Sequence, residues 1–287
     1  MFQNKISCPS CHERIDAFDQ VCPHCHSQNS EYDKTKLSRN AFNVSFVWQL
    51  VIFATGWIGL QIIASVIQVG FIVFGRVEIE QLTTNPNILG PLEFITYFLE
   101  IIALLLIVVL SKNCIKFVRP FKSWQTYIFG ALAFGALFIF DLLYSNLVVP
   151  ENIGDNQNQQ LVIDITKAFP VLSIIVFGVV GPVCEELTYR VGLFGFLRRW
   201  NRVAAYIIGA LFFAFIHFSL ESVLKIVAEG TMEYFIIELW NIPAYIVCGF
   251  VLVATYDLFG FGASTVAHIL NNVIGVIQIL VLARYGR

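Results

Sequence analysis

Charge is what this sequence lacks. Only 13% of its 287 residues are Asp, Glu, Lys or Arg, whereas a soluble domain carries roughly 25%. A water-facing surface cannot be built from so few charges, and lipid is the simplest solvent that tolerates the remainder. No run of Lys or Arg is long enough to hold nucleic acid, and the formal net charge is only −2. No cleavable secretory signal is expected, because polar sequence occupies the first 45 positions, and the first apolar segment is expected to act as an uncleaved anchor. H-E-x-x-H, the common metalloprotease signature, is absent, which neither excludes nor supports a catalytic metal. No similarity links the two halves, so the inverted repeats of many transporters are missing, and a proton-relaying transporter ranks last among the readings.

What is abundant is apolar: 57% of the residues are hydrophobic and 27 are Phe. Long apolar stretches predict an all-α, polytopic membrane bundle of seven spans, or eight if the first is two short pieces. The spans run approximately over 46–74, 91–110, 124–149, 163–197, 203–220, 235–256 and 263–283. The fourth is overlong, and Gly181-Pro182 should kink it because Pro182 cannot donate to Gly178. Loop charge orients the chain. Twelve Lys and Arg fall before the first span, after the second and after the fourth, against five on the opposite side, whose loops are acidic. A cytoplasmic N-terminus follows, with a multi-pass location in the cell membrane and, for seven spans, an external C-terminus.

The first 28 residues form a separate module. Cys8-Pro-Ser-Cys11 and Cys22-Pro-His-Cys25 are two knuckles ten residues apart, the spacing that presents four thiolates to one tetrahedral ion. Too short to build a core, such a segment would take its folding energy from structural Zn2+. Cys8–His12 and Cys22–His26 also spell C-x-x-C-H, the haem attachment pattern, but that needs export, and a disulfide would face a reducing cytosol. Zinc is therefore the favoured reading. Residues 29–45 read as a polar linker, and 46–287 as the membrane domain. Cys114, Cys184 and Cys248 are scattered and read as small buried hydrophobes.

Ionisable residues inside spans are expensive and mark function by default. The fourth span holds Glu185-Glu186 and Arg190, the fifth Phe213 and His217, the seventh His268 and Asn272. Four-residue spacing puts Glu186 with Arg190, Phe213 with His217, and His268 with Asn272 on shared helix faces. Glu185 points about 100° away from Glu186 and faces a different space. Counted along the helices from Arg198, Arg202 and Asp257, Glu185, His217 and His268 lie about 20, 22 and 16 Å deep at 1.5 Å per residue. The three can therefore meet near mid-bilayer. Glu186–Arg190 alone reads as a structural ion pair. A lone His or Asn could be helix–helix glue, whereas two His, one extra Glu and an Asn at matching depth point to a site. Glu93, Glu100 and Asp141 lack a partner in sequence and read as interfacial or pore-lining; Glu221, one turn past His217, could orient it, and an outer-interface position explains it equally well.

These residues resemble the three motifs of the CPBP family, the CAAX-protease and bacteriocin-processing (ABI) intramembrane endopeptidases: E-E-x-x-x-R, F-x-x-x-H and H-x-x-x-N, in that order. The resemblance covers about residues 163–283 and implies a catalytic core there. It implies that Glu185 activates water with help from His217. His268 and Asn272 would stabilise the oxyanion, and Arg190 would hold Glu186. The chemistry asks for such groups on its own account: a base tuned by burial, and donors aimed where negative charge develops. A rival reading makes Glu185, His217 and His268 ligands of a catalytic zinc with an open position. The implied partners are membrane lipid and a peptide or membrane-protein substrate, either a prenylated CAAX-type C-terminus or a leader-type peptide. The alternative function is a non-catalytic scaffold or bacteriocin-immunity protein on the same fold.

Overall fold

A computed structural model describes residues 5–16, 19, 21–30 and 44–286. The expected linker therefore lies mostly outside the described residues. At the N-terminal end, β1 (Lys5–Ser7) pairs antiparallel with β2 (Arg14–Asp16), Ile6 opposite Ile15, and the isolated bridge Val21–Gln28 closes a second turn. Each hairpin carries one Cys pair. His12 and His26 follow the two knuckles with φ of 60° and 57°. These matching left-handed residues give the two halves the same reversal.

The remainder is helical. Among the described residues, six helices are long and apolar enough to cross a membrane: α1 (Phe46–Val73), α2 (Pro86–Leu110), α3 (Trp124–Leu147), α5 (Pro170–Leu197), α8 (Glu233–Phe259) and α9 (Phe261–Tyr285). Between them lie α4 (Gln157–Ala168), α6 (Arg202–Ile216) and α7 (Leu220–Glu229). The chain is thus an all-α, multi-pass membrane bundle with an N-terminal four-cysteine cluster. Isoleucines, leucines and valines in numbers stand exposed along α1, α2 and α3, as a lipid-facing surface requires.

Two expectations change in detail. The fifth span is not full length: α6 has 15 residues, about 22 Å at 1.5 Å each, against a hydrocarbon core of about 30 Å. It ends because the His217 ring turns back and its Nδ1 meets the Phe213 carbonyl at 2.8 Å, satisfying an orphan of the last turn. The overlong fourth span is really α4 and α5. The break falls at Phe169, in a non-helical conformation (φ −133°, ψ 67°), since Pro170 disfavours a helical residue before it. At Gly181-Pro182 the helix continues instead. A widened, π-helical turn over Val176–Val180 precedes the proline, and a longer one runs over Glu186–Phe194, which lets the helix absorb the missing donor. The first span is continuous through a similar wide turn at Thr55–Gly59.

α5 is the axle of the bundle. Every residue from Glu186 to Phe194 is buried. Leu187, Val191 and Phe194 pack with Ile52 of α1, Leu104 of α2, Ala205 of α6 and Tyr256 of α8. Close approach needs small residues: a Cβ on Gly192 would stand 2.9 Å from the Phe53 backbone nitrogen of α1. α8 and α9 meet through one residue, Gly260, whose φ of 89° is open to glycine and strained for other residues. That corner folds α9 back alongside α8 and brings His268 to α5. At the same end, Asp257 accepts from Arg198, Arg202 and the Tyr206 hydroxyl, at 2.8, 2.6 and 2.9 Å.

Candidate active site and four-cysteine cluster

Glu186 is completely buried, and three neighbours satisfy it. Arg190, one turn on, approaches at 3.3 Å; His268 Nδ1 of α9 lies 2.9 Å from Oε1; and the Ser264 hydroxyl bonds Oε2. A carboxylate in an apolar bundle demands this company. The Arg190 guanidinium also sits 4.5 Å over the Phe213 ring, a cation–π contact that couples α5 to α6. Sequence spacing gave the Glu186–Arg190 pair. It missed Ser264, although Ser264 lies four residues before His268 and so shares its face.

Glu185 points elsewhere, as its offset from Glu186 predicts. It keeps 17% of its side chain exposed, and its Oε2 is buried without a hydrogen-bond partner among the described residues, while His268 Nε2 is 3.7 Å away. His268 thus lies between two carboxylates, close to Glu186 and looser to Glu185. With Nδ1 turned to Glu186, its Nε2 faces the Glu185 carboxylate. His217 is fixed in a similar sense: a carbonyl only accepts, so Nδ1 carries the hydrogen that meets Phe213 O, and Nε2 is left available. The Phe213 ring lies between the imidazoles, 4.7 Å from His217 and 5.8 Å from His268 by ring centroids. Asn272 shares the His268 face but gives one amide hydrogen to the Phe177 carbonyl, 3.1 Å away, tying α9 to the first wide turn of α5.

Other residues at the site carried weaker signals in sequence. Tyr245 of α8 stacks on His217 at 4.5 Å and 18°. Glu238 of α8 and Asn156, the N-cap of α4, are buried beside the His217 turn. Glu238 falls in an expected span, and its intramembrane charge was the signal available. Glu100 of α2, expected at an interface or pore, is instead buried, with Oε2 lacking a hydrogen-bond partner among the described residues. Asp141 lies exposed on α3, and its backbone carbonyl accepts from Ser145. The Glu221 side chain lies outside the described residues.

The four N-terminal sulfurs all lie within 4.8 Å of one another. Tetrahedral sulfurs about 2.3 Å from an ion stand about 3.8 Å apart; Cys8–Cys25 and Cys11–Cys22 are 3.8 and 3.7 Å apart. The backbone amides of Cys11 and Ser10 pull the Cys8 thiol down to about 6. The Ser27 hydroxyl, then its amide, lower Cys25. At Cys11 the Glu13 amide also pulls downward, but burial and the sulfurs of Cys25, Cys8 and Cys22 win, and it rises to about 12. Four crowded thiols of this kind suit a cation, and the spacing fits one. Among the described residues, Glu185, His217 and His268 do not form such a group.

The fold and this buried carboxylate–imidazole cluster define a polytopic helix-bundle membrane protein with a polar centre. Residues 167–274 match the family described as type II CAAX prenyl endopeptidase Rce1-like. An uncharacterized protein of Mycoplasma capricolum is 28% identical over 162 residues, 52% of this chain and 43% of that one. A Bacillus subtilis protein described as "Putative membrane peptidase YdiL" is 35% identical over 77 residues, 26% of this chain and 31% of that one. The chain therefore spans less than half the length of either relative. No solved structure matches it.

Proposed function

We propose that the chain is an intramembrane endopeptidase that hydrolyses peptide bonds with a water activated by Glu185. One observation carries the reading: the Glu185 side chain is partly exposed, and its Oε2, buried and without a hydrogen-bond partner among the described residues, lies 3.7 Å from His268 Nε2. Glu185 takes a proton from water as the oxygen attacks the scissile carbonyl carbon, with His217 Nε2 orienting that water. The carbonyl oxygen becomes an oxyanion and receives hydrogen bonds from His268 Nε2–H and the second amide hydrogen of Asn272. Glu186 supports this donor role by fixing the ring through Nδ1, 2.9 Å from Oε1, so that Nε2 is directed toward Glu185. Arg190, 3.3 Å from Glu186, holds that carboxylate in place. As the C–N bond breaks, the proton held by Glu185 passes to the leaving amine.

The substrate class is a membrane-associated peptide, either a prenylated CAAX-type C-terminus or a leader-type segment; the family match and the lipid-facing bundle support it. The N-terminal module is a structural zinc ribbon, supported by the sulfur spacing. Loop charge supports its cytoplasmic placement.

Reconstitution in liposomes with a peptide library tests the activity. Wild type should cleave, Glu185→Gln should lose at least about a hundredfold in kcat with its fold kept, and His217→Ala should also be impaired. Normal cleavage by Glu185→Gln overturns the mechanism. The metal-free route has its own test, in full-length protein whose four ribbon cysteines are replaced by serine. Chelators should leave its cleavage intact, and their inhibition would transfer the role to a metal.

A further inference from the structure

We infer that Glu238, Asn156 and Tyr245 are positioning residues that lock His217 for the reaction above, a proposal that rests on that reading. His217 follows the last residue of a helix too short to cross the bilayer, so α6 alone does not secure it. What secures it comes from two distant segments. The Asn156 amide donates to the His217 carbonyl at 3.3 Å and to Glu238 Oε2 at 3.4 Å. Glu238 also accepts from the backbone N–H of Ser219, at 3.3 Å, and of Gln157, at 3.1 Å. One buried carboxylate thus fastens the turn after His217 to the start of α4.

The ring itself is held from the side. Tyr245, two helical turns beyond Glu238, stacks on the imidazole at 18°. Its hydroxyl donates to Asn156 Oδ1 at 3.4 Å and accepts from Asn158 at 3.4 Å. Asn156 is therefore the hub: its Nδ2 serves the His217 carbonyl and Glu238, while its Oδ1 serves Tyr245 and the Gln159 N–H at 2.9 Å. Glu238 and Asn156 are each only 1% exposed. An ionisable group buried this deeply in an apolar bundle is costly unless its bonds matter. All its bonds recorded among the described residues converge on segments flanking His217, and none reaches the Glu185–His268 pair directly. The network sets one imidazole and leaves the other to Glu186.

Reconstituted full-length protein tests the lock by two readouts. The first is 15N-histidine NMR in detergent, with His217→Ala used to assign the signal. Wild type should show His217 protonated at Nδ1 alone, whereas Glu238→Ala and Tyr245→Leu should show exchange between tautomers. The second is kinetics per folded enzyme. Both variants should lose about ten- to a hundredfold in kcat with KM within about twofold, and Tyr245→Phe, which keeps the stacking plane, should lose less. The pair Asn156→Asp/Glu238→Gln reverses donor and acceptor and should recover part of the loss of Asn156→Asp alone. Should Glu238→Ala fail to fold, Tyr245→Leu carries both readouts, since it removes no buried charge. The lock is overturned if these variants keep wild-type kcat and a single His217 tautomer, whatever their melting temperatures. Wild-type cleavage by Glu185→Gln would overturn the underlying mechanism instead, and the NMR readout stands apart from it.

Discussion

Arg190 shows how much one side chain can hold. It is fully buried, ion-paired with Glu186 and seated on Phe213. Removing it leaves a carboxylate uncompensated in an apolar interior, so Arg190→Met should destabilise the protein by about 3–5 kcal/mol. Thermal unfolding in detergent measures this. Adding Glu186→Gln to Arg190→Met should restore part of the loss, because the stranded charge is then gone, although His268 loses its ionic partner and cleavage stays impaired. Without that partial recovery, the pair is not the unit described. Residue spacing alone exposed this pair and the divergence of Glu185. It could not expose Ser264 as the third ligand of Glu186, since a hydroxyl four residues from a histidine is common in any helix.

At the scale of elements, the wide turns of α5 decide where the motif side chains point. Its central nine residues are buried against four other helices, and their tight contacts rest on glycine. Gly192→Ala should cost about 1–3 kcal/mol, because the new methyl meets the Phe53 backbone rather than a side chain able to swing away. A melting curve with no shift would mean that α1 can retreat from α5. Hydropathy located these helices well but misplaced two boundaries. It ran α4 into α5, because Phe169-Pro170 interrupts an apolar run without interrupting its hydrophobicity. It overextended α6 for the same reason: the apolar composition continues to Leu220, while the His217 ring has already capped the helix.

Across the whole molecule, the two modules make separable predictions. Inductively coupled plasma mass spectrometry should find about one zinc per chain, lost on replacing Cys8 and Cys22 with serine. Loss of that metal should unfold the N-terminal module while the thermal transition of the membrane bundle stays put. A bundle that melts earlier on metal loss would show that the modules are coupled. A fluorescent reporter fused before Met1 should be active in the cytoplasm; activity only of a periplasmic reporter there would reverse the orientation.

Composition and pattern by themselves determined that this chain lives in lipid, that its first residues gather four thiols, and which polar residues could meet. Those are local or additive properties: apolar length, charge count, and the fixed 100° step of a helix. Tertiary packing decided the partners. It set His268 between Glu186 and Glu185, turned Asn272 toward Phe177, and drew Glu238, Asn156 and Tyr245 around His217. Such pairings join residues some 20 to 100 positions apart, and they depend on a glycine corner, a proline break and widened turns whose rotations are not written in helical periodicity.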